Sequence, residues 1–307
     1  MKILVTGGAG FIGSHIVDKY IDLGHQVVVI DNLVTGFKKF INLKAKFYKV
    51  DICDREAVEK VFTSEKPELI NHHAAQMDVR KSVADPKFDA ETNIIGLLNL
   101  LQAGKTSGVK KVIFASTGGA VYGDTQVLPT PETYCCRPVS PYGISKLTSE
   151  HYLDFYANNY GTSYIALRYS NVYGPRQNPH GEAGVVAIFM QKLLKGEQPK
   201  ITRDGKQSRD FVFVADVVAA NIAALTYTEN LIVNIGTGIG TSINELYDKI
   251  QAVCGTSFPK TYIPKRPGEQ QVSVLDINLA KEKLNWQPIS SLDDGLKLTA
   301  DYFKNEK

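Results

Sequence analysis

The sequence feature that most constrains the fold is a glycine-rich turn at residues 6–13, TGGAGFIG. The apolar segment KILVT precedes it, and apolar side chains recur at helical spacing over residues 11–23. A strand that runs through a turn of glycines into a helix is typical of the first unit of a dinucleotide-binding sheet. Gly7, Gly10 and Gly13 would allow a tight turn, close approach of a pyrophosphate to the backbone, and close packing of helix on strand.

The rest of the first two-thirds of the chain alternates short β-branched runs with helical patterns. Nearly continuous apolar strands separated by helices predict a parallel sheet covered on both faces. We therefore expect an α/β fold, with a Rossmann-type doubly wound parallel sheet and a smaller mixed α/β C-terminal substrate lobe. Strands are predicted at 2–7, 26–31, 45–51, within 67–75, at 110–117 and at 162–174, and helices at 11–23, 54–65, 88–107 and from 141 onward.

Prolines and glycines become frequent after residue 174, which suggests a boundary between two domains. Residues 1–174 are predicted to form a dinucleotide-binding Rossmann domain, and residues 175–307 a smaller substrate lobe. Segments within 209–240, such as LIVNIG at 231–236, are expected to return partly to the main sheet. Shorter elements are predicted at 184–195, 209–214, 215–226 and 242–254.

Composition excludes several classes of function. The net charge of +3 is too small, and the basic residues too dispersed, to indicate a nucleic-acid or membrane partner. No apolar run reaches membrane length, and the N-terminal apolar run ends after five residues, so neither a membrane span nor a signal peptide is expected. Four cysteines without a CxxC pair indicate reduced thiols and a cytoplasmic protein, although Cys135-Cys136 leaves a redox or metal role open. No metal site is expected, since the adjacent His72 and His73 would point to opposite faces of a strand.

A single acidic residue suggests which dinucleotide is bound. Asp31 ends the second predicted strand, 18 residues after Gly13. A carboxylate at this place accepts hydrogen bonds from the adenosine ribose and repels a 2′-phosphate. The expected cofactor is therefore NAD rather than NADP.

The segment YGISK, residues 142–146, suggests an acid–base pair. Tyr142 and Lys146 are four residues apart and share one face of a helix that Ser140 and Pro141 would start. A free tyrosine has a pKa near ~10, and a neighbouring ammonium group lowers it toward the range of a useful base. Spacing alone would also fit an ordinary surface pair. The hydroxyl of Thr117, at the end of a predicted strand, could relay a proton.

Several segments in order, TGGAGFIG, DNLVTG, HHAAQMDV, ASTGGAVYG, SPYGISK and RYSNVYGPRQ, resemble the extended short-chain dehydrogenase/reductase family. Within it the resemblance is to UDP-glucose 4-epimerases and related nucleotide-sugar epimerases, and GEAGVVAIF, SRDFVFVADV, NIGTG and RPGE continue it through the C-terminal part. The resemblance implies a UDP-sugar substrate that is inverted at C4 through a transient 4-keto sugar, with NAD bound throughout. It also implies a homodimer, an NAD-binding Rossmann domain over residues 1–174 and a nucleotide-sugar-binding lobe over residues 175–307.

The resemblance assigns site residues by position. Tyr142, Lys146 and Thr117 would be catalytic, and the substrate would contact Thr117, Tyr142, Asn171, Arg209, Arg266 and Glu269. Asn171 and the two arginines would hold the diphosphate, and Glu269 the uridine ribose. NAD would contact Gly7, Gly10, Phe11, Ile12, Gly13, Asp31, Asn32, Asp51, Ile52, Ala74, Ala75, Gln76, Asn93, Tyr142 and Lys146.

Four features leave alternatives open. The loop Ser116-Thr117-Gly118-Gly119 lacks the acid pair that a sugar dehydratase would need, and it keeps Ser116 as a reserve hydroxyl. UDP-glucuronate 4-epimerase or decarboxylase remains an alternative on the same fold, and a non-catalytic NAD-binding regulator is a remote one. The small side chain of Ser273 suggests room for an N-acetyl group. Apolar residues that fit either a dimer face or the core are Ile94, Leu97, Leu98, Leu101, Tyr152, Leu153 and Tyr156.

Overall fold

The structure is a computed structural model that describes residues 1–179, 184–264 and 270–306. Seven strands form one parallel sheet in the order β10-β6-β5-β4-β1-β2-β3, which confirms the predicted Rossmann-type arrangement. The strands in chain order are β1 Lys2–Thr6, β2 Gln26–Asp31, β3 Lys46–Lys49, β4 Leu69–His72, β5 Lys111–Thr117, β6 Ser163–Tyr169, β7 Asn171–Tyr173, β8 Lys200–Thr202, β9 Ser208–Phe213, β10 Leu231–Ile235, β11 Gly240–Ser242, β12 Thr261–Ile263 and β13 Val272–Ser273.

Helices cover both faces of this sheet. They are α1 Phe11–Asp22, α2 Arg55–Glu65, α3 Val79–Ala84, α4 Pro86–Ala90, α5 Gly96–Ser107, α6 Gly118–Val121, α7 Pro141–Tyr160, α8 Val185–Leu194, α9 Val214–Thr226, α10 Ile243–Cys254, α11 Asn278–Leu284 and α12 Leu292–Asn305. A 3₁₀ turn lies at Lys38–Phe40, and a π-helical segment at Glu91–Ile95 joins α4 to α5.

The alternation of side chains along the strands divides the core into two layers. In β1, Ile3 and Val5 face the cluster that includes Ile16 and Val17 of α1. Leu4 lies between them in sequence but faces the opposite cluster, beside α2, α5 and α7. Both layers exclude water, so the central strands are mainly apolar, as the sequence predicted.

Two predicted elements differ from the structure. The predicted strand 162–174 is two strands, because the chain leaves the main sheet after Tyr169 and β7 pairs with β9 instead. The predicted helix 88–107 begins earlier, at Pro86, and contains the π-helical segment with Asn93. π-helical turns often occur at functional sites because they re-aim side chains.

The C-terminal part contains a second sheet around β9, which pairs with β7, β11 and β13. Helices α8, α10 and α12 pack beside it through buried residues such as Phe189, Leu246 and Leu296. β10 pairs with β6 in the main sheet, and the boundary at residue 174 stays a prediction. Among the described residues, no helix is long and apolar enough to cross a membrane.

Candidate active site

The glycine-rich turn brings three backbone segments unusually close together. Gly7 has a left-handed φ of +70°, and a Cβ atom on it would lie 2.7 Å from the backbone nitrogen of Ala74. A Cβ atom on Gly13 would lie 2.2 Å from the carbonyl oxygen of Gly7. Gly10 is the N-cap of α1 and has no side chain that could accept from the first N–H groups of the helix. The turn therefore fits a pyrophosphate, which takes the free N–H groups at such a helix start, including those of Phe11 and Ile12.

Asp31 lies at the carboxyl end of β2, next to this turn. Its two carboxylate oxygens accept hydrogen bonds from the backbone N–H groups of Ala9 and Leu33, at 3.0 and 2.8 Å. Burial raises the pKa of Asp31, and these backbone hydrogen bonds oppose the rise. The carboxylate is therefore held in a fixed orientation, and its remaining lone pairs suit the hydroxyl groups of a ribose.

The predicted adenine side lies beyond Asp31. The Asn32 side-chain amide donates to the Asp51 carboxylate at 2.9 Å, which ties the ends of β2 and β3 together. The pKa of Asp51 is lowered, because hydrogen bonds from the Cys53 N–H and from Asn32 outweigh burial, the largest and opposing influence. The Ile52 side chain packs into the core, and the Ile52 carbonyl accepts a hydrogen bond from the Asn99 side-chain amide. A contact between Ile52 and adenine would therefore use the Ile52 backbone N–H or the small part of its side chain that is still exposed.

The turn after β4 is built on two buried polar side chains. Thr6 Oγ1 accepts from the N–H groups of His73 and Ala74 at 3.2 and 3.1 Å. Asn93 forms a pair of hydrogen bonds with the backbone of Gln76, both of 2.9 Å. The predicted cofactor residues Ala74, Ala75 and Gln76 thus form one braced segment, with Asn93 behind it as a support.

The predicted dyad lies at the start of α7. Ser140 caps the helix by accepting from the Gly143 N–H at 3.2 Å, and Pro141 occupies the first turn. Lys146 is buried, donates to the Ala115 carbonyl at 2.8 Å, and lies 6.0 Å from the centroid of the Tyr142 ring. Burial lowers the pKa of Lys146 to about 8. The two side chains therefore share a face next to the end of β5, where a surface pair would instead be exposed.

The two hydroxyl residues that end β5 have different surroundings. Ser116 is buried and donates to the Glu150 carboxylate at 2.5 Å, so the structure removes it as a reserve catalytic hydroxyl. Thr117 is half-buried at the junction of β5 and α6. Gly118 follows in contact with Leu275, since a Cβ atom there would lie 2.5 Å from Leu275 Cδ1. Strand alternation directs the Thr117 side chain away from the side of the sheet on which Ser116 meets Glu150, and its catalytic role stays a prediction.

A buried ion pair behind the dyad was not predicted. Arg168 of β6 donates to both oxygens of Glu150, at 2.9 and 2.6 Å, and to the Tyr122 hydroxyl at 2.9 Å. Glu150 lies one helical turn after Lys146, and its second donor is Ser116. The ion pair connects α7 to β6, and the hydrogen bond from Ser116 connects the same carboxylate to the end of β5. A charged residue four positions after the dyad lysine was the sequence signal that could have indicated it.

Two of the predicted substrate residues, Asn171 and Arg209, lie on the second sheet. Asn171 starts β7, opposite Phe211 on β9. Arg209 pairs in register with Ser273, and its guanidinium donates to the carbonyls of Ser208 and Gln270, each at 2.8 Å. Arg266 and Glu269 lie outside the described residues.

The neighbour of Arg209 does not form a surface ion pair with it. Asp210 is fully buried and accepts from the N–H and hydroxyl groups of Thr237, at 2.8 and 2.7 Å, and from the Gly238 N–H at 3.1 Å. Burial raises the pKa of Asp210 against these hydrogen bonds. Asp210 therefore holds the NIGTG loop on β9, and Arg209 points away from it.

Comparison with known proteins identifies the family of this chain. Residues 3–236 match the model of the NAD-dependent epimerase/dehydratase family. A putative UDP-glucose 4-epimerase of Methanocaldococcus jannaschii is 48% identical over 99% of this chain and 98% of its own length. The crystal structure of UDP-glucose 4-epimerase with UDP-glucose from Thermotoga maritima has a TM-score of 0.98 and 52% identity, with 99% of each chain covered.

A third similar structure carries a different name. It is a UDP-N-acetylglucosamine 4-epimerase from Methanobrevibacter ruminantium, in complex with UDP-N-acetylmuramic acid, with a TM-score of 0.94 and 36% identity over 100% of this chain and 99% of that one. The comparisons confirm the predicted family and, with it, the expected cofactor NAD. The chain, with its glycine turn, Asp31 and the Tyr142–Lys146 pair in family order, belongs to the NAD-dependent epimerase/dehydratase family.

Proposed function

We propose that this protein is a UDP-glucose 4-epimerase, which interconverts UDP-galactose and UDP-glucose through a transient 4-keto sugar. The observation that carries the proposal is the pairing of a buried Lys146 with Tyr142 at β5, the strand that ends at Thr117, in a chain whose glycine turn fits NAD. The names of similar proteins support the same substrate. The UDP-glucuronate enzymes are not favoured by these names.

The dyad residues supply proton transfer. When bound, NAD accepts a hydride from C4 of the sugar and returns it. The Tyr142 hydroxyl oxygen removes the proton of the sugar 4-hydroxyl and later restores it, directly or through Thr117 Oγ1. The Lys146 ammonium favours the phenolate form of Tyr142, because an adjacent positive charge stabilises a negative one in a buried site.

The C-terminal lobe holds the nucleotide. Arg209 and Arg266 would grip the diphosphate with fixed guanidinium geometry, with Asn171 beside them and Glu269 at the uridine ribose. Arg209 is braced by the carbonyls of Ser208 and Gln270. An anchor of this kind lets the 4-keto sugar present its other face while the nucleotide stays in place.

A coupled assay tests the proposal. Purified protein is incubated with UDP-galactose and no added cofactor, while UDP-glucose formation and absorbance of NADH are followed. The expected result is product without net NADH, and loss of product in Tyr142→Phe. Accumulation of NADH without formation of UDP-glucose would indicate a simple hydride-transferring oxidoreductase. A protein that binds NAD but converts no UDP-sugar would fit the non-catalytic regulator instead.

The N-acetylated sugars are a second candidate substrate pair, and we propose that they are accepted. Ser273 lies on β13 beside Arg209, where a small side chain leaves space near the proposed substrate. One similar structure is named a UDP-N-acetylglucosamine 4-epimerase. Ser273→Tyr should lower turnover of UDP-GlcNAc and UDP-GalNAc much more than turnover of UDP-glucose, and Ser273→Ala is the matched control. Equal losses on both sugar pairs would contradict this specificity.

We further propose a cytoplasmic homodimer. Part of the predicted dimer face belongs to the core of a single chain, since Leu97, Leu101, Leu153 and Tyr156 are buried there. Exposed apolar side chains remain beside them: Ile95, Phe155 and Tyr160 are 48%, 47% and 43% exposed. Light scattering of the wild type and of Phe155→Glu should give dimer and monomer masses. A monomeric wild type would contradict the dimer.

A further inference from the structure

Asp89 of α4 is a fully buried carboxylate that the proposed chemistry does not use. Its Oδ1 accepts from the side-chain amides of Gln76 and Asn93, at 2.9 and 3.1 Å. Its Oδ2 is also buried, and it has no hydrogen-bond partner within the described parts of the chain. An ionised carboxylate with an unpartnered oxygen is costly in a protein interior unless a positive charge lies near. The nearby positive charge is Lys146, since α4 packs against α7.

A chain of hydrogen bonds leads from Asp89 to the dyad. The Asn93 amide that donates to Asp89 also donates to Ser145 Oγ at 3.2 Å. Ser145 Oγ in turn donates to the carbonyl of Tyr142 at 2.9 Å. Ser145 directly precedes Lys146, so the carboxylate is connected through two side chains to the first turn of α7.

Other ionisable groups also face Lys146, from its own helix and from the strands beneath it. Glu150 is neutralised by its two-point ion pair with Arg168. Burial lowers the pKa of His72 well below its usual value and that of His73 to about 3, so both rings are neutral. The groups that act on Lys146 are Asp89, Glu150, His72, His73 and Tyr142. Asp89 is thus the one among them whose negative charge has no cationic partner of its own in the described residues.

We propose that Asp89 is a positioning residue of the dyad, whose buried charge keeps Lys146 protonated and whose hydrogen bonds align the first turn of α7. This inference rests on the proposed function, and it means that the charge of Asp89 sets the upper end of the pH range in which the enzyme is active. Removing the charge makes the ammonium form of Lys146 less stable in its buried site. Lys146 then loses its proton at lower pH, and Tyr142 loses the positive charge that supports its phenolate form.

The test is Asp89→Asn, with Asp85→Asn as matched control. Asparagine keeps the side-chain oxygen that accepts from Gln76 and Asn93. It removes the negative charge and replaces the unpartnered oxygen Oδ2 by an amide nitrogen. Asp85 is exposed and caps α4 by accepting from the Phe88 N–H, a role that asparagine also fills. The control therefore removes the same charge from the start of the same helix without changing the buried network.

Two measurements distinguish the outcomes. The basic limb of the pH profile of kcat should move down by about one pH unit in Asp89→Asn, a loss of about tenfold in kcat above that limb, and should not move in Asp85→Asn. Asp89→Glu, which keeps the charge, should restore the limb. NMR titration of ¹³Cε-labelled lysines, with Lys146 assigned by Lys146→Arg, should show the same downward shift.

The NMR titration needs no catalytic turnover, so it tests this inference even where the proposed epimerase activity fails. An unchanged titration of Lys146 in Asp89→Asn would overturn the inference. A uniform loss of kcat at every pH with both limbs in place would also overturn it, since that is the result of a purely structural role. Asp89→Ser and Asp89→Ala remove the charge with smaller side chains, and failure of all three neutral variants to fold would assign Asp89 to folding alone.

Discussion

Replacing Gly13 by alanine should greatly weaken binding of NAD, because the added methyl group has no room in the turn. Its carbon would lie 2.2 Å from the Gly7 carbonyl oxygen and 2.8 Å from the carbonyl carbon. Both atoms are backbone and cannot rotate away. Ordinary contact begins at 3.4 Å, so the start of α1 must separate from the turn by about 1.2 Å.

A displacement of this size removes hydrogen bonds between the helix start and a pyrophosphate. Hydrogen bonds to a charged group contribute roughly 1.5–3 kcal/mol each, and they weaken steeply beyond about 3.2 Å. Loss of one or two of them corresponds to roughly 2–4 kcal/mol, or a 30- to 700-fold weaker affinity for NAD.

Calorimetric titration of NAD into cofactor-free protein measures this affinity. Gly10→Ala is the matched comparison in the same turn, since its Cβ would lie 3.1 Å from the Gly7 carbonyl oxygen at an ordinary φ of −86°. It should cost no more than a few-fold in affinity. Gly24→Ala, at a φ of +82° with open space around it, should lower the unfolding temperature without changing the affinity.

Two results would refute this reasoning. Wild-type affinity in Gly13→Ala would mean that the turn opens without consequence for the cofactor. Equal losses in Gly10→Ala and Gly13→Ala would mean that the distance to the Gly7 carbonyl does not control binding.

Three further predictions concern the dyad and its surroundings. Thr117→Ala should lower kcat by about 100-fold at unchanged NAD affinity. Ser116→Ala should lower the free energy of unfolding by about 1–2 kcal/mol and leave kcat nearly unchanged, because the Ser116 hydroxyl only contacts a buried carboxylate. Similar losses of kcat in both variants would contradict this division of roles. Gly118→Ala should lower kcat, because the added Cβ would lie 2.5 Å from Leu275 Cδ1 and push the loop away from Leu275. The double variant Gly118→Ala/Leu275→Ala should regain part of this kcat, since the steric clash involves only the end of the Leu275 side chain. Additive losses of kcat from the two substitutions would contradict the clash. The kcat of the wild type should fall about tenfold per pH unit above pH 8, because the pKa of Lys146 is about 8 and the lysine loses its positive charge above that value. Steady-state kinetics over pH 6–10 measure this profile. A flat profile would contradict a role for the charge of Lys146.

The features that the sequence predicted well are those whose physical cause is local. The spacing of Gly7 and Gly13 follows from a turn within seven residues, and both glycines prove to have no room for a side chain. The four-residue separation of Tyr142 and Lys146 places them on one face of any helix, and the structure has a helix there. The sequence placed Thr117 and Ser116 at the end of one strand, but it did not show that Ser116 would be buried against Glu150.

Other features required the folded chain because they depend on partners that are distant in sequence. Residues 162–174 have the composition of one long strand, and only the competing partners β5 and β9 divide it into two strands. Arg209 and Asp210 are adjacent in sequence, but β9 directs Asp210 to the loop at Thr237 and Arg209 to the carbonyl of Gln270.

The same limit applies to the residues behind the dyad. Asp89 looks like an ordinary charge near the start of a helix, and Glu150 like an ordinary surface acid, until tertiary packing buries both of them. Local sequence therefore determined the glycine turn, the parallel strands and the proposed Tyr142–Lys146 pair, because their geometry arises within a few residues. Tertiary structure alone decided which charges are buried beside that pair, because burial and its electrostatic consequences depend on contacts across dozens of residues.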